Sequence, residues 1–178
     1  MGRILKWVVI DLLFLIAVGL GILGIQYFGG QPMGFFAGST PAKLGFSDGK
    51  FAVHSTKPNW VSSTVDTADS HYIAPFAVAD FVSKFDIPAE SRATVAYTTL
   101  RNLVLESPGA TEKKSATGYL YAEFKTPGLG FVDDLEVALD GKANVIHVKS
   151  GSRLGYRDFD LNRKRVEALR GLFKKPHG

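Results

Sequence analysis

The sequence predicts an α+β protein in which an N-terminal transmembrane helix precedes a two-layer domain. Three observations predict this class: one long apolar run near the N-terminus, a series of short β-patterned segments, and a helical pattern on each side of that series. Helices that can cover one face of an antiparallel sheet are typical of two-layer domains. We therefore expect an antiparallel sheet of about four strands with two helices.

The apolar run from Trp7 to Phe28 predicts a membrane anchor. A spanning helix needs about 20 mostly apolar residues, and aromatic residues at both ends are typical of membrane interfaces. Arg3 and Lys6 precede the run and no basic residue follows before Lys43, which predicts an inside N-terminus. A cleaved signal peptide is the alternative, but its apolar core measures only about 7–15 residues. We expect residues 1–28 to anchor the chain in the inner (cytoplasmic) membrane, with the domain on the periplasmic or outer side.

Asp11 is the one acidic residue inside this run. It lies about one turn inside Trp7, so its carboxylate can reach back to headgroup water near the inner interface. Contact with another membrane helix is the alternative. In that case the chain would be an accessory subunit of a membrane protein complex.

The bulk composition excludes several classes of site. The chain contains no cysteine, so disulfides, thiolate catalysis and Cys-ligated metals are excluded. Its 21 basic and 17 acidic side chains give a formal charge of +4, a mild excess that is concentrated near the C-terminus. Such an excess is typical of a solvated helix face, so nucleic acid is not an expected partner.

Three stretches precede the main secondary structure. Residues 29–43 are rich in Gly and Pro and predict a linker, in which Phe36 could rest on the membrane surface or on the domain. Asp48-Gly49 predicts a tight turn between short extended pieces. Residues 54–76 are dense in Ser, Thr, Asp and Pro, which predicts an ordered loop without regular structure. The extracytoplasmic domain is expected to span residues 44–174.

Two amphipathic patterns predict helices. The first begins near Pro88, a favoured first-turn residue, keeps apolar residues at helical spacing to Val104, and stops at Ser107-Pro108-Gly109. The second runs from about Leu161 to Lys174, with Asp160 as its predicted N-cap. Its apolar stripe consists of Val166, Leu169 and Phe173.

Four strand candidates lie between the helices. They are about Thr111–Ser115, Tyr119–Lys125, Phe131–Leu139 and Asn144–Ser150. The connections between the last three are short, which implies antiparallel neighbours.

Asp133 and Asp134 stand side by side in the third candidate strand. Side chains alternate along a strand, so Asp133 shares the predicted core face with Leu135. An unpaired buried carboxylate costs several kcal/mol, so we expect an arginine partner, whose planar fork suits a carboxylate. The candidates are Arg153, Arg163 and Arg165, so that Asp133 would anchor the Arg153 loop or the last helix. A β-bulge that turns both acids to the surface is the alternative.

The other face of the same strand carries Asp134 and Glu136. With Glu123 on the preceding strand and His147 and Lys149 on the following one, they predict a solvated ladder of cross-strand acid–base pairs. The alternative is a metal or acid–base site formed by His147 with Glu136. No H-x-x-x-H or similar spacing is present, so a metal site is not predicted.

The loop contains the residue types of a nucleophilic site. Ser62 and Ser63 lie near His71, with Asp66 and Asp69 between them, and Ser63 with His71 are the catalytic candidates. No G-x-S-x-G elbow frames either serine. The favoured interpretation is therefore that Asn59, Ser62 and His71 satisfy backbone groups of the loop.

Several stretches together resemble domain-of-unknown-function family 1499. They are LGFSDGKFA, KPNWVSS, HYIAPF, YAEFKTPGLGFVDDLEV and VIHVKSGSRLGYRDFDLNRKRVEALR. They span about Leu44 to Arg170, and the last two are the most specific. Trp60 departs from the family pattern, in which this position is often cysteine.

The resemblance implies a small domain often found outside a membrane, and it implies no established activity. It singles out polar positions that form either a site or the framework of the fold. These are Asn59, Ser62, Ser63, His71, Phe131, Asp133, Asp134, Glu136, His147, Ser150, Ser152, Arg153, Gly155, Asp158, Asn162, Arg163 and Arg165.

We therefore expect a membrane-anchored extracytoplasmic domain that binds a partner protein, a lipid or a small ligand. A membrane-proximal hydrolase or metal-dependent enzyme is the first alternative, and an accessory subunit of a membrane protein complex is the second. The sequence does not identify a cofactor.

Overall fold

The computed structural model describes residues 36–177. The predicted anchor and the first part of the predicted linker lie outside these residues. Within residues 36–177, no helix combines the length and hydropathy that a membrane crossing requires.

In the described chain, four short strands precede a longer α+β unit. In chain order the elements are β1 (Phe46–Ser47), β2 (Lys50–Phe51), β3 (Trp60–Ser62), β4 (Phe76–Ala77), a 3-10 turn (Val78–Asp80), α1 (Ala89–Glu106), β5 (Ala110–Ala116), β6 (Tyr119–Lys125), β7 (Val132–Asp140), β8 (Val145–Ser152) and α2 (Leu161–Phe173).

The main sheet has six strands rather than about four. Strands β5 to β8 agree closely with the four predicted candidates, and they pair as consecutive antiparallel neighbours. The two further strands, β3 and β4, both pair antiparallel with β8. They come from the stretch predicted to lack regular structure, because two or three residues are too few for a strand pattern to show.

Both helices pack on one face of this sheet, as the two-layer prediction requires. Their buried residues form one apolar core with the inward-facing residues of β6, β7 and β8. The stripe of Val166, Leu169 and Phe173 on α2 is buried as predicted. At the end of α1, Gly109 adopts a φ of 80°, and a Cβ there would lie 2.5 Å from the Lys125 carbonyl oxygen. Only glycine therefore fits this stop signal.

The other face of the sheet is also covered. The predicted turn at Asp48-Gly49 is confirmed, with φ values of 51° and 75°, and it joins β1 to β2. The segment that contains this hairpin lies on the second face, where Phe46 stacks on His147 with ring centroids 5.4 Å apart. The backbone carbonyl of Ala52 accepts a hydrogen bond from Lys149 Nζ at 3.0 Å. Residues 44–54 thus shield a sheet face that the sequence predicted to be solvated.

Candidate functional site

Asp133 is buried on the helix side of β7, with 5% of its surface exposed. Arg165 of α2 donates to its Oδ2 at 2.5 Å, and the same guanidinium lies 4.5 Å from the centroid of the Phe124 ring. The prediction of an arginine partner is confirmed, and the partner belongs to the last helix. The register of β7 with both neighbours runs unbroken through Asp133 and Asp134. The bulge alternative is therefore wrong.

Asn162 joins α2 to the sheet beside this ion pair. Its side chain is fully buried, its Nδ2 lies within hydrogen-bond distance of three acceptors, and its Oδ1 accepts from two donors. The acceptors are Asn59 O, Ser152 Oγ and Asp158 Oδ2, at 3.2, 2.9 and 2.9 Å; the donors are Ser150 Oγ and Arg165 Nη1, at 2.6 and 2.7 Å. An amide has two N–H donors and one oxygen, so this side chain has no hydrogen-bonding capacity left for a ligand.

Asp158, rather than Asp160, supplies the capping bond of α2. Asp160 stands at the N-cap position as predicted, but its φ is 62° and its side chain makes no capping hydrogen bond. The Asn162 N–H instead donates to Asp158 Oδ2 at 3.0 Å. The carboxylate of Asp158 is thus engaged by the helix that it starts.

Asp134 is buried on the second face, so the prediction that it belongs to a solvated ladder is wrong. Only 1% of its surface is exposed. Its Oδ1 accepts from Tyr121 OH at 2.6 Å and from Arg153 Nη2 at 2.7 Å, and Arg153 also donates to Glu123. Burial raises the pKa of Tyr121, and the bond to Asp134 raises it further. Burial alone lowers the pKa of Arg153, but its bonds to Asp134 and Glu123 outweigh that effect and raise it.

Glu136 forms a second buried ion pair on this face, with Lys149. Its Oε1 lies 2.5 Å from Lys149 Nζ, and the two side chains are 0% and 1% exposed. Its Oε2 accepts from Tyr119 OH and from the backbone N–H of Gly45, each at 2.6 Å. The cross-strand pairing with Lys149 was predicted, but its burial was not. These partners do not include His147, whose Nδ1 contacts Ser63 Oγ instead.

His71 and Ser63, the predicted catalytic candidates, are not hydrogen-bonded to each other. The ring nitrogens of His71 lie 2.7 Å from Asp69 Oδ1 and 3.0 Å from the Lys57 carbonyl oxygen, and the ring stacks on Trp60. Ser63 Oγ lies 3.0 Å from His147 Nδ1 instead and accepts from the Val148 N–H at 2.9 Å. His71 satisfies backbone of the loop, as the favoured interpretation held. Ser62 does the same, because its Oγ accepts from the Thr64 N–H at 3.2 Å.

Arg163 also serves the loop. Its guanidinium donates to the backbone carbonyl oxygens of Tyr72 and Ser70, at 2.8 and 2.9 Å. A hollow of about 200 Å³ lies beside Arg163 and His71. Both of these side chains are already engaged with protein oxygen atoms.

His147 is half-buried below Phe46, and burial lowers the pKa of its imidazole, with the nearby Asp140 opposing the shift. A neutral imidazole is the form that binds metals. Among residues 36–177, however, no group of three or more His, Asp or Glu side chains is arranged to hold a metal ion.

The feature of the described chain most suited to a ligand is an open groove at the start of β7. Its volume is about 270 Å³. Phe131, Val132, Leu154, Phe159 and Leu161 supply its apolar walls, and Thr126, Asp133, Ser152, Gly155, Arg157 and Asp158 complete its lining. Asp133, Ser152, Gly155 and Asp158 were singled out by the resemblance, whereas Leu154, Phe159 and Leu161 were missed. The available signal was the apolar residues spaced among charges in RLGYRDFDL.

Comparison with known proteins gives a family but no activity. No curated protein and no solved structure matches the chain significantly. One family profile matches residues 50–173, which cover most of the chain and include every residue of the groove. The chain therefore belongs to the family described as "Protein of unknown function (DUF1499)".

Proposed function

We propose that this chain is a membrane-anchored, non-enzymatic binding domain that holds the apolar part of an amphiphilic ligand. The binding site is the groove between the start of β7, the loop after β8 and the first turn of α2. Its domain lies on the outer side of the inner membrane, held by the apolar run from Trp7 to Phe28.

The composition of the groove is the observation that carries this proposal. Ligand sites are mostly apolar concavities with a few placed polar groups, and this groove has apolar walls above Asp133, Ser152 and Asp158. Its 270 Å³ is slightly below the ~300–1,000 Å³ of pockets that enclose a whole drug-sized ligand. An acyl chain end or one apolar side group therefore fits better than a complete ligand.

The charged networks support a structural role for the other candidates. Asp133, Asp134 and Glu136 are each engaged by a cation of the protein itself. Catalytic and binding carboxylates need at least one coordination position open to the ligand. We assign these residues to the framework that shapes the groove.

A hydrolase is the second candidate, and the contact between Ser63 Oγ and His147 Nδ1 favours it. A serine nucleophile needs such a base within hydrogen-bond reach. Ser63 is only 7% exposed, however, and its Oγ already accepts from backbone. The test is hydrolysis of a short-chain nitrophenyl ester: activity that disappears in Ser63→Ala would replace the binding proposal with this one.

The binding proposal is tested with a photoactivatable fatty acid, added to the full-length chain in lipid vesicles. Leu161 is 48% exposed and lines the groove, so Leu161→Trp fills it without disturbing the core. Leu172 is 40% exposed at the other end of the same helix, which makes Leu172→Trp the matched control. We expect crosslinks in the groove that Leu161→Trp reduces several-fold and Leu172→Trp leaves intact. Equal crosslinking of both variants would contradict the proposal.

A further inference from the structure

Large apolar side chains on the two loops that border the groove face solvent. We call this set the loop patch: Leu129, Phe131, Leu154, Tyr156 and Phe159, with 58, 36, 38, 66 and 87% of their surfaces exposed. The patch is contributed by two neighbouring loops, one before β7 and one after β8. Phe131, Leu154 and Phe159 also line the groove together, and exposed apolar side chains that share one surface mark an interaction surface rather than scattered surface hydrophobicity.

The backbone at Phe159 adopts a strained conformation, and the Phe159 ring is exposed. Phe159 and the following Asp160 adopt φ values of 55° and 62°, a region that bulky L-residues rarely enter. The Phe159 ring gains no burial from this conformation, since it is the most exposed large apolar side chain among residues 36–177. Strain that persists without an internal packing gain points to a functional constraint. The contact that would bury this ring is therefore to be sought outside the domain.

Phe36 lies against this patch. The Phe36 ring stacks on Phe131 with centroids 4.9 Å apart. Of the two predicted contacts of Phe36, with the membrane surface or with the domain, the structure shows the contact with the domain. Gly38 passes so close that a Cβ there would lie 2.8 Å from Arg153 Cβ. The segment leading from the predicted anchor is thus held against the edge of the loop patch.

The length of the intervening chain limits the distance of this patch from the membrane. Residues 29–35 separate Phe36 from Phe28, the last residue of the apolar run. An extended chain spans at most ~3.3–3.6 Å per residue, so Phe36 lies within about 30 Å of the end of the run. Because Phe36 stacks on Phe131, only this short stretch of sequence separates the loop patch from the predicted anchor.

The chemistry of the patch fits a membrane interface. Tyr and other aromatic side chains concentrate at headgroup depth, where one end of the ring is apolar and the other is wet. Arg157 lies between Tyr156 and Phe159 and is exposed, and it makes no ion pair within residues 36–177. Asp160 contributes an opposing charge, so the apolar rings rather than the net charge supply the attraction.

We propose that the loop patch lies in the interfacial layer of the same bilayer that anchors the chain, so that the groove opens towards lipid. This inference rests on the proposed function, which includes the membrane anchor. It adds the source of the ligand, an amphiphile that enters the groove from the membrane rather than from water.

The absence of cysteine from the chain allows single labels to be placed. The full-length chain is reconstituted in phosphatidylcholine–phosphatidylglycerol vesicles after Phe159→Cys or Tyr156→Cys, each labelled with an environment-sensitive fluorophore. Thr117→Cys is the control, because Thr117 is exposed in the turn before β6, at the opposite end of the sheet. Quenchers attached to lipid headgroups or to shallow acyl positions report the depth of each label.

We expect labels at 156 and 159 to be quenched several-fold more than the label at 117, and Phe159→Asp to abolish quenching at 156. Labels at 156 and 159 that are as accessible to water as that at 117 would overturn the inference, as would protection that appears only when a protein partner is added. Alkaline carbonate extraction separates the two proposals. A chain that is extracted has no anchor, whereas a chain that stays in the vesicles with a water-exposed 159 label disproves only the patch orientation.

Discussion

Replacing Asp133 by Asn tests whether the ion pair with Arg165 holds α2 on the sheet. The substitution keeps the shape of the side chain and removes its charge. The two side chains of the pair are 7% and 14% exposed, so solvent screens their interaction weakly. The substituted amide would still accept a hydrogen bond from the guanidinium, but the bond would lose the attraction between two opposite charges.

The size of the expected stability loss depends on the hydrogen bonds that Arg165 keeps in the variant. Removing one partner of a buried ion pair costs about 3–5 kcal/mol when the other charge is stranded. Arg165 is not stranded, since it still donates to Ser150 Oγ and Asn162 Oδ1. The loss is then closer to that of one hydrogen bond to a charged group, about 2 kcal/mol. At ~2–4 °C per kcal/mol for a chain of this size, the melting temperature should fall by about 4–8 °C.

The assay is thermal unfolding of the full-length chain in detergent micelles, followed by intrinsic fluorescence. Glu167→Gln is the matched control, because it neutralises an acid of an exposed pair on the same helix, where Glu167 is 51% exposed and pairs with Arg170. Exposed pairs contribute less than about 1 kcal/mol. An Asp133→Asn melting temperature no lower than that of Glu167→Gln would refute the reasoning.

Three further perturbations have defined outcomes. Lys149→Met should lower the free energy of unfolding by about 3–5 kcal/mol, because it leaves Glu136 charged and buried without its cation; a urea midpoint close to wild type would contradict this. The pKa of His147 is lowered from 6.5 by burial, so the unfolded chain protonates first and stability falls as the pH drops from about 6.5 through the folded pKa. In His147→Gln the urea midpoint should therefore change less between pH 7.5 and 5.5 than in wild type. A change as large as that of wild type would count against the role of His147. Phe159→Gly should raise the melting temperature slightly, because glycine relieves about 1–2 kcal/mol of left-handed strain and the exposed ring contributes no packing; a marked decrease would show that the ring is packed after all.

Local pattern was sufficient to predict the frame of the fold and the pairing of Asp133. Alternation in GFVDDLEVAL assigned Asp133 to the core face, and the cost of burying a lone carboxylate required an arginine. The choice among Arg153, Arg163 and Arg165 could not be made, because it depends on where α2 crosses the sheet. That crossing is set by packing across the core rather than by spacing along the chain.

The burial of Asp134 and Glu136 could not be predicted from their own strand. Alternation placed them correctly on the second face, but the cover comes from residues 44–54, about ninety positions away in sequence, as in the bond from Gly45 N to Glu136. A polar face is interpreted as solvated unless the covering segment is known. The tyrosines at 119 and 121, which supply hydroxyl donors to these acids, were the overlooked sign of burial.

The groove was missed for a related reason. Phe131 and Asp133 were singled out, but Leu154, Phe159 and Leu161 reach the same place only because β7 and β8 are paired in register, with Asp133 opposite Ser152. Loops carry no periodicity from which a shared surface can be predicted. Conversely, Ser63 and His71 are close in sequence and chemically suited, yet the fold directs their hydrogen bonds to different partners.

The claim that the groove is the site and the charged networks are its framework is tested most directly by one quantity. This is the fraction of full-length chain that the photoactivatable fatty acid crosslinks at residues of the groove in vesicles, at a temperature where all variants are folded. Tyr119→Phe weakens the framework by removing one hydrogen bond to Glu136, whereas Leu161→Trp fills the groove. The account predicts wild-type crosslinking for Tyr119→Phe and a several-fold loss for Leu161→Trp; loss in Tyr119→Phe with full crosslinking in Leu161→Trp would contradict it.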